Sequence, residues 1–214
     1  MKSGILILTG ISVMLSGCSG MNIDEFEQAQ PEFVLEDYFQ GRTVAWGLFE
    51  DRFGKVQRQF VVEINGTWDG TTLILNEDFV YNDGEKENRV WSITRTGENT
   101  YEGETANAVG KAIGVRQGNA FHWAYDFNLQ VGDGYWKVAF DDWMFLQPGG
   151  VLLNKAVVTR WGVKLGTVFL SFSKPVKPSV VSELSAAARR SGAVARKTAE
   201  PRPNGLYEGS RVRR

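Results

Sequence analysis

The chain has one cysteine, one histidine and six prolines in 214 residues, and each scarcity removes a class of explanation. A lone cysteine, Cys18, excludes an intramolecular disulfide, so nothing covalent staples the fold. With His122 the only histidine, any Ser-His-Asp or Cys-His arrangement rests on that one side chain. His122 falls on the polar face of its segment, where it reads as an exposed bystander rather than a general base. No Cys/His spacing suits zinc, and no metal or other cofactor is expected. Gly110, Gly114 and Gly118 lie close together, but no Lys-Ser/Thr follows them. They mark a turn or a bulged strand, not a phosphate loop. Asp141 and Asp142 are neighbours, and neighbours on a strand point to opposite faces, so they form no one-sided carboxylate pair. An enzyme is therefore not expected. The remaining catalytic possibility is a hydrolase using Glu77 with Asp142, if the fold brings them within the ~5–9 Å used in glycoside hydrolysis.

Long apolar runs are also missing. Ile5 to Leu15 is interrupted by Thr9, Gly10 and Ser12 and reaches only about half of the ~20 residues a bilayer-spanning helix needs. Preceded by Lys2, it reads as the apolar region of a signal peptide. It ends in Leu15-Ser16-Gly17-Cys18, which resembles the bacterial lipobox. The resemblance implies cleavage after residue 17 and acylation of Cys18, with membrane anchoring through several acyl chains where one would be marginal. Ser19 replaces the Asp that usually retains such proteins at the inner membrane. The sorting pattern thus implies the outer membrane, facing the periplasm.

The remaining sequence divides by charge. Residues 174–214 carry ten Lys or Arg against Glu183, Glu200 and Glu208, a balance of +7; residues 1–173 carry −8. Lys174-Pro175-Val176-Lys177-Pro178 reads as an extended linker, which gives four parts: a signal peptide at 1–17, a linker at 18–32, a domain at 33–174 and a basic tail at 175–214. In the tail, Ser179 or Ser182 suits the N-cap of a short helix running to Ala188, and the composition beyond Arg189 is that of a disordered segment. The tail's cations suit contact with anionic envelope lipids. Nucleic acid is not an expected partner of an exported protein.

Between Phe33 and Phe172 apolar and polar residues alternate, with turn signals at Asp51–Gly54, Asn65-Gly66, Asn82–Gly84, Gly97–Asn99, Gly132–Gly134 and Pro148–Gly150. The clearest run puts Phe121, Trp123, Tyr125, Phe127, Leu129 and Val131 on one face and His122, Ala124, Asp126, Asn128 and Gln130 on the other. A helix cannot produce that period. Strands are expected near 42–49, 56–64, 71–81, 88–95, 100–105, 119–131, 135–146, 151–161 and 165–173. The fold class is all-β. About eight to ten sequential antiparallel strands resolve their edges by closing into an up-and-down barrel, with a β-sandwich as the alternative. A short helix over Ile23 to Gln28 is expected to plug the barrel or lead to it. Alternation places Arg58, Glu77, Arg89 and Asp142 on inward faces with Trp91, Trp123 and Tyr125, and an isolated charge there would be costly. The opposite signs are expected to pair or to meet water in a cavity, Arg58 with Asp142 if the two share one interior. The seven residues form a candidate site: a polar anchor for an amphipathic ligand's head group, with aromatic walls for its tail. Their other reading is a structural salt-bridge network.

Several stretches resemble a family of uncharacterised proteobacterial lipoproteins, the domain of unknown function 3833. They are Tyr38-Phe39-Gln40-Gly41, Asp51-Arg52-Phe53-Gly54, Arg58-Gln59-Phe60, Asp83-Gly84 with Arg89-Val90-Trp91, Gly110 through Ala120, Trp123-Ala124-Tyr125, Asp141-Asp142-Trp143-Met144 and Asn154. Asn107 stands where the family often has Asp. The resemblance covers about residues 33–174 and implies a lipocalin-like fold without naming an activity. Gly66-Thr67-Trp68 matches the Gly-x-Trp letters of lipocalins, but its expected place at a turn after two strands makes that match fortuitous. Three functions follow in order: a binding module for a lipid or other hydrophobic molecule, a structural or partner-docking envelope lipoprotein, and a hydrolase.

Overall fold

A computed structural model of the chain describes residues 20–175; the expected signal segment, Cys18, and the basic tail with the short helix expected there lie outside them. Ten antiparallel strands form one closed barrel: β1 (Gly41–Asp51), β2 (Val56–Trp68), β3 (Thr72–Tyr81), β4 (Lys86–Arg95), β5 (Thr100–Glu104), β6 (Ala108–Gln117), β7 (Ala120–Val131), β8 (Gly134–Leu146), β9 (Leu152–Arg160) and β10 (Val163–Ser173). Each strand pairs with the next, and β10 returns to β1 from Val44↔Ser173 to Asp51↔Gly166. Every strand has a partner on each side, although β5 is short and meets β4 only over Ser92–Arg95 and β6 only over Ala112–Val115; the barrel replaces the sandwich alternative.

Two ends are thereby defined. At the floor, β1 begins, β2 ends, and the β4–β5, β6–β7 and β8–β9 connections gather. At the mouth lie the β1–β2, β3–β4, β5–β6, β7–β8 and β9–β10 turns. A helix of five residues, α1 (Leu35–Phe39), closes the floor. Phe33, Leu35, Tyr38 and Phe39 are all buried, and Glu36 and Asp37 in its first turn suit the positive end of the helix dipole.

Ahead of the first expected strand, Leu35, Tyr38 and Phe39 repeat at helical spacing and cap the apolar interior. The sequence reading is corrected or narrowed at three places. Asn65 and Gly66 do not turn; they continue β2, and the turn is at Asp69-Gly70, where Asp69 Oδ1 accepts from the backbone N–H of Thr71 and Thr72 at 2.8 Å each. Gly66-Thr67-Trp68 accordingly lies in a strand. Gly66 is needed there for close approach: a Cβ would sit 2.0 Å from the Phe39 carbonyl oxygen. Of the turn and the bulged strand offered for Gly110 and Gly114, the strand is found: both lie in β6, absent from the nine expected segments, with a register shift between Val109 and Ile113. Ile23–Phe26 forms a 3-10 turn shorter than the helix expected over Ile23 to Gln28; of plugging the barrel or leading to it, it does the second, lying at the side with the Phe26 ring 5.2 Å from Phe145 and 6.1 Å from Trp143.

The inward faces carry Val62, Ile64, Leu73, Leu75, Trp91 and Ile93, all buried. The outer face bears charges paired across strands, such as Arg42–Glu63, Lys111–Glu102 and Lys137–Asp126. Exposed apolar side chains, among them Trp46, Ile74, Val90, Ile113 and Phe169, lie between these pairs. Among the described residues, no helix is long and apolar enough to cross a membrane.

Candidate functional site

The barrel is not filled. A cavity of about 350 Å³ runs from Leu35 and Phe39 at the floor to Arg58, Tyr81 and Leu165 near the mouth. The volume falls at the low end of the ~300–1,000 Å³ typical of small-molecule sites. Arg58, Glu77, Arg89, Trp91, Trp123, Tyr125 and Asp142 all line it, because the period of two puts each on its strand's inner face.

The walls are aromatic. Trp91 meets Trp123 edge-on at 5.7 Å and Tyr125 at 5.2 Å, and Tyr125 stacks on Phe140 at 4.9 Å. Space for Trp123 comes from Gly103 and Gly114 on β5 and β6, where a Cβ would lie 2.6 Å from its ring. The glycines around Gly110 thus belong to packing and a bulge.

Polar groups form a belt partway up. Glu77 and Arg89 are register partners on β3 and β4. Arg89 pairs with Glu87 at 2.7 Å, and its guanidinium lies 4.9 Å from the Phe79 ring and 4.8 Å from Phe127. Tyr81 donates its hydroxyl proton to Glu87 at 2.8 Å. Burial opposes the charge on Glu87, but Arg89 and the Tyr81 hydroxyl outweigh it and hold the carboxyl below its usual value. Arg89 Nε is buried without a hydrogen-bond partner among the described residues. Burial pushes Glu77 up to about 7, with Arg89 pulling the other way. Burial also pushes Asp142 up to about 7, opposed by a hydrogen bond from Asn154. Tyr125 is raised by burial and by Asp142. Both deep carboxyls therefore change charge near neutral pH, the pattern of a site rather than a surface.

The expected Arg58–Asp142 pair does not form. Arg58 lies near the mouth, bonded to Asp83 at 3.0 Å and to Glu85, with its guanidinium 3.5 Å from the Tyr81 ring. Asp142 lies deeper and accepts from Asn154 Nδ2, which also donates to the Trp143 carbonyl at 3.2 Å. The turn acids Asp83 and Glu85 reach Arg58 across 25 and 27 residues, a closeness that alternation within one strand cannot reveal. Asn154 has a legible signal, a polar residue between Leu152 and Ala156 on the inner face of β9. His122 sits on the outer face, stacked on Trp143 at 4.4 Å and 3.3 Å from Asp141. Among the described residues no group of three or more His, Cys, Asp or Glu is placed to hold a metal ion.

Fold and site define a class: a small closed barrel of antiparallel strands around an amphipathic cavity. The chain belongs to the family described as protein of unknown function (DUF3833), which matches residues 12–174. No curated protein matches the chain.

Proposed function

We propose that this protein is an envelope lipoprotein, held through acyl chains on Cys18 at the outer membrane's periplasmic side, whose barrel binds a single-chain amphiphile. The observation that carries the binding reading is an aromatic cavity of about 350 Å³ crossed by one belt of charged groups. The volume suits one acyl chain better than a lipid bearing several. Arg89 pairs with Glu87 through one guanidinium nitrogen but leaves Nε without a partner among the described residues; that donor, on a guanidinium between the Phe79 and Phe127 rings, suits a carboxylate head group. The anchoring reading is supported by the lipobox resemblance of Leu15-Ser16-Gly17-Cys18, which lies within the family match.

A dansyl-labelled fatty acid titrated into the chain from Ser19 to Arg214 tests binding. Saturable enhancement, competed by palmitate and weakened at least ~10-fold by Arg89→Gln, is expected, since a charge-assisted hydrogen bond contributes ~1.5–3 kcal/mol. Absence of saturable binding overturns the reading. For the anchor, Cys18→Ser is expected to abolish metabolic labelling with a fatty acid; a labelled mutant overturns it.

A further inference from the structure

Three consecutive turns of the mouth carry exposed aromatic side chains. Because β2, β1, β10, β9, β8 and β7 are successive neighbours, the β1–β2, β9–β10 and β7–β8 turns form one arc of the rim. Arg52 N–H donating to the Leu165 carbonyl at 2.9 Å joins the first two. Phe53 in the first is 81% exposed and Trp161 in the second 87%, and Tyr135, the second residue of β8 just past the third, is 66% exposed. Each large ring gives up burial that a smaller polar residue would not miss.

Trp161 carries a further cost. Its φ is +52°, in the left-handed region, and Gly162 follows at +75°. This is the two-residue hairpin turn that favours Asn or Gly at the first place; a bulky aromatic there is strained. An exposed, strained tryptophan with no folding advantage is a mark of function.

Cations accompany the rings. The Arg160 guanidinium lies 4.1 Å from the Trp161 ring and 4.3 Å from Trp136, and Arg52 lies 4.8 Å from Phe53. Across residues 51–55, 133–137 and 160–164 there are five Lys or Arg against Asp51 and Asp133; Lys137 is paired with Asp126, which leaves Arg52, Lys55, Arg160 and Lys164. Asp51 is engaged within its own turn, accepting from the N–H groups of Phe53 and Lys55. The next turn along the rim, between β3 and β4, is acidic instead, with Asp83 and Glu85. The charge is therefore local to the aromatic arc. Tryptophan, tyrosine and basic side chains together suit the head-group layer of a bilayer, where rings sit amphipathically and cations meet anionic lipid.

We infer that this arc docks the mouth onto an anionic lipid bilayer, and so is where a single-chain amphiphile enters or leaves the cavity. The second clause rests on the binding function proposed above; the docking does not. Flotation of the chain from Ser19 to Arg214, which retains every described residue, with vesicles of phosphatidylcholine alone or mixed with phosphatidylglycerol tests it. Binding is expected only to the mixed vesicles. Phe53→Ser with Trp161→Asn should lower the partition coefficient at least ~10-fold, although Asn fits the left-handed position and should leave Tm equal to or above the parent's. In the chain truncated after Lys174, which lacks the basic tail, Arg52→Ser with Arg160→Ser should weaken the preference for phosphatidylglycerol at least ~3-fold. Truncation after Lys174 should retain aromatic-dependent binding, which separates the arc from the basic tail. The dansyl-labelled fatty acid titrated into each variant without vesicles keeps the two readings apart. Aromatic-dependent flotation without fatty-acid binding leaves docking standing and overturns the cavity function. Flotation that is absent, or indifferent to both double substitutions, overturns docking, as does an aromatic-dependent self-association that replaces vesicle binding.

Discussion

At the scale of residues, the two deep carboxyls make stability pH-dependent in a defined direction. Glu77 and Asp142 are raised to about 7 from ordinary values of 4.5 and 3.8. A carboxyl raised in the folded state binds its proton more tightly there than in the unfolded chain. Its contribution is therefore fully present below the unfolded value and is lost as pH rises through about 7. Glu77→Gln with Asp142→Asn removes this loss. The double variant is expected to gain on the parent by ~1–2 kcal/mol between pH 5 and pH 8, allowing for solvent in the cavity. Urea titrations at the two pH values measure it. Arg58 and Asp142 do not touch, so Arg58→Ala and Asp142→Asn should be additive within ~0.5 kcal/mol, and coupling well above that in a double-mutant cycle would contradict their separation.

At the scale of elements, α1 decides whether the barrel has a floor. Buried Glu36 accepts from Arg95 at 3.1 Å and from the Tyr101 hydroxyl at 2.9 Å, tying the helix to β4 and β5. Glu36→Ala leaves the Tyr101 hydroxyl buried without a partner, while Arg95 keeps the Gly97 and Glu98 carbonyls. The expected cost is ~2–3 kcal/mol, read as a fall in Tm. Gly66→Ala acts from the other side, since its Cβ would meet backbone rather than a movable side-chain tip. A similar cost of ~1–3 kcal/mol is expected from overpacking, together with faster release of a cavity-bound probe. The helix had a readable pattern, Leu35, Tyr38 and Phe39 at i, i+3 and i+4, but five residues lie within the strand-rich alternation on either side. The β6 strand was obscured for another reason: its glycines contribute no side chains to a periodicity, although they exist to admit Trp123.

For the whole molecule, the chain enters at the floor and the aromatic arc stands at the mouth. Phe26, close after the proposed tether, lies beside Gly118 of the floor-end β6–β7 turn. Cys18 precedes Ile23 by five residues, a reach of at most ~17 Å, less than the ~30–40 Å rise of a 13-residue strand such as β8. A barrel standing upright on that tether presents its mouth away from the anchoring bilayer, towards a facing one. The acylated protein in phosphatidylcholine vesicles is therefore expected to aggregate with added phosphatidylglycerol vesicles, as read by light scattering, and Phe53→Ser with Trp161→Asn should abolish it. By itself, the sequence determined the class of fold, the inward placement of Arg58, Glu77, Arg89 and Asp142, and the aromatic faces, because a strand's period of two is a local property of the backbone. Only the tertiary structure decided which charges meet, that ten strands close around a space rather than a filled core, that a short helix seals one end, and that Phe53, Tyr135 and Trp161 gather at the other. Those outcomes depend on register and closure across strands, which bring together residues more than a hundred positions apart and leave no local trace in the chain.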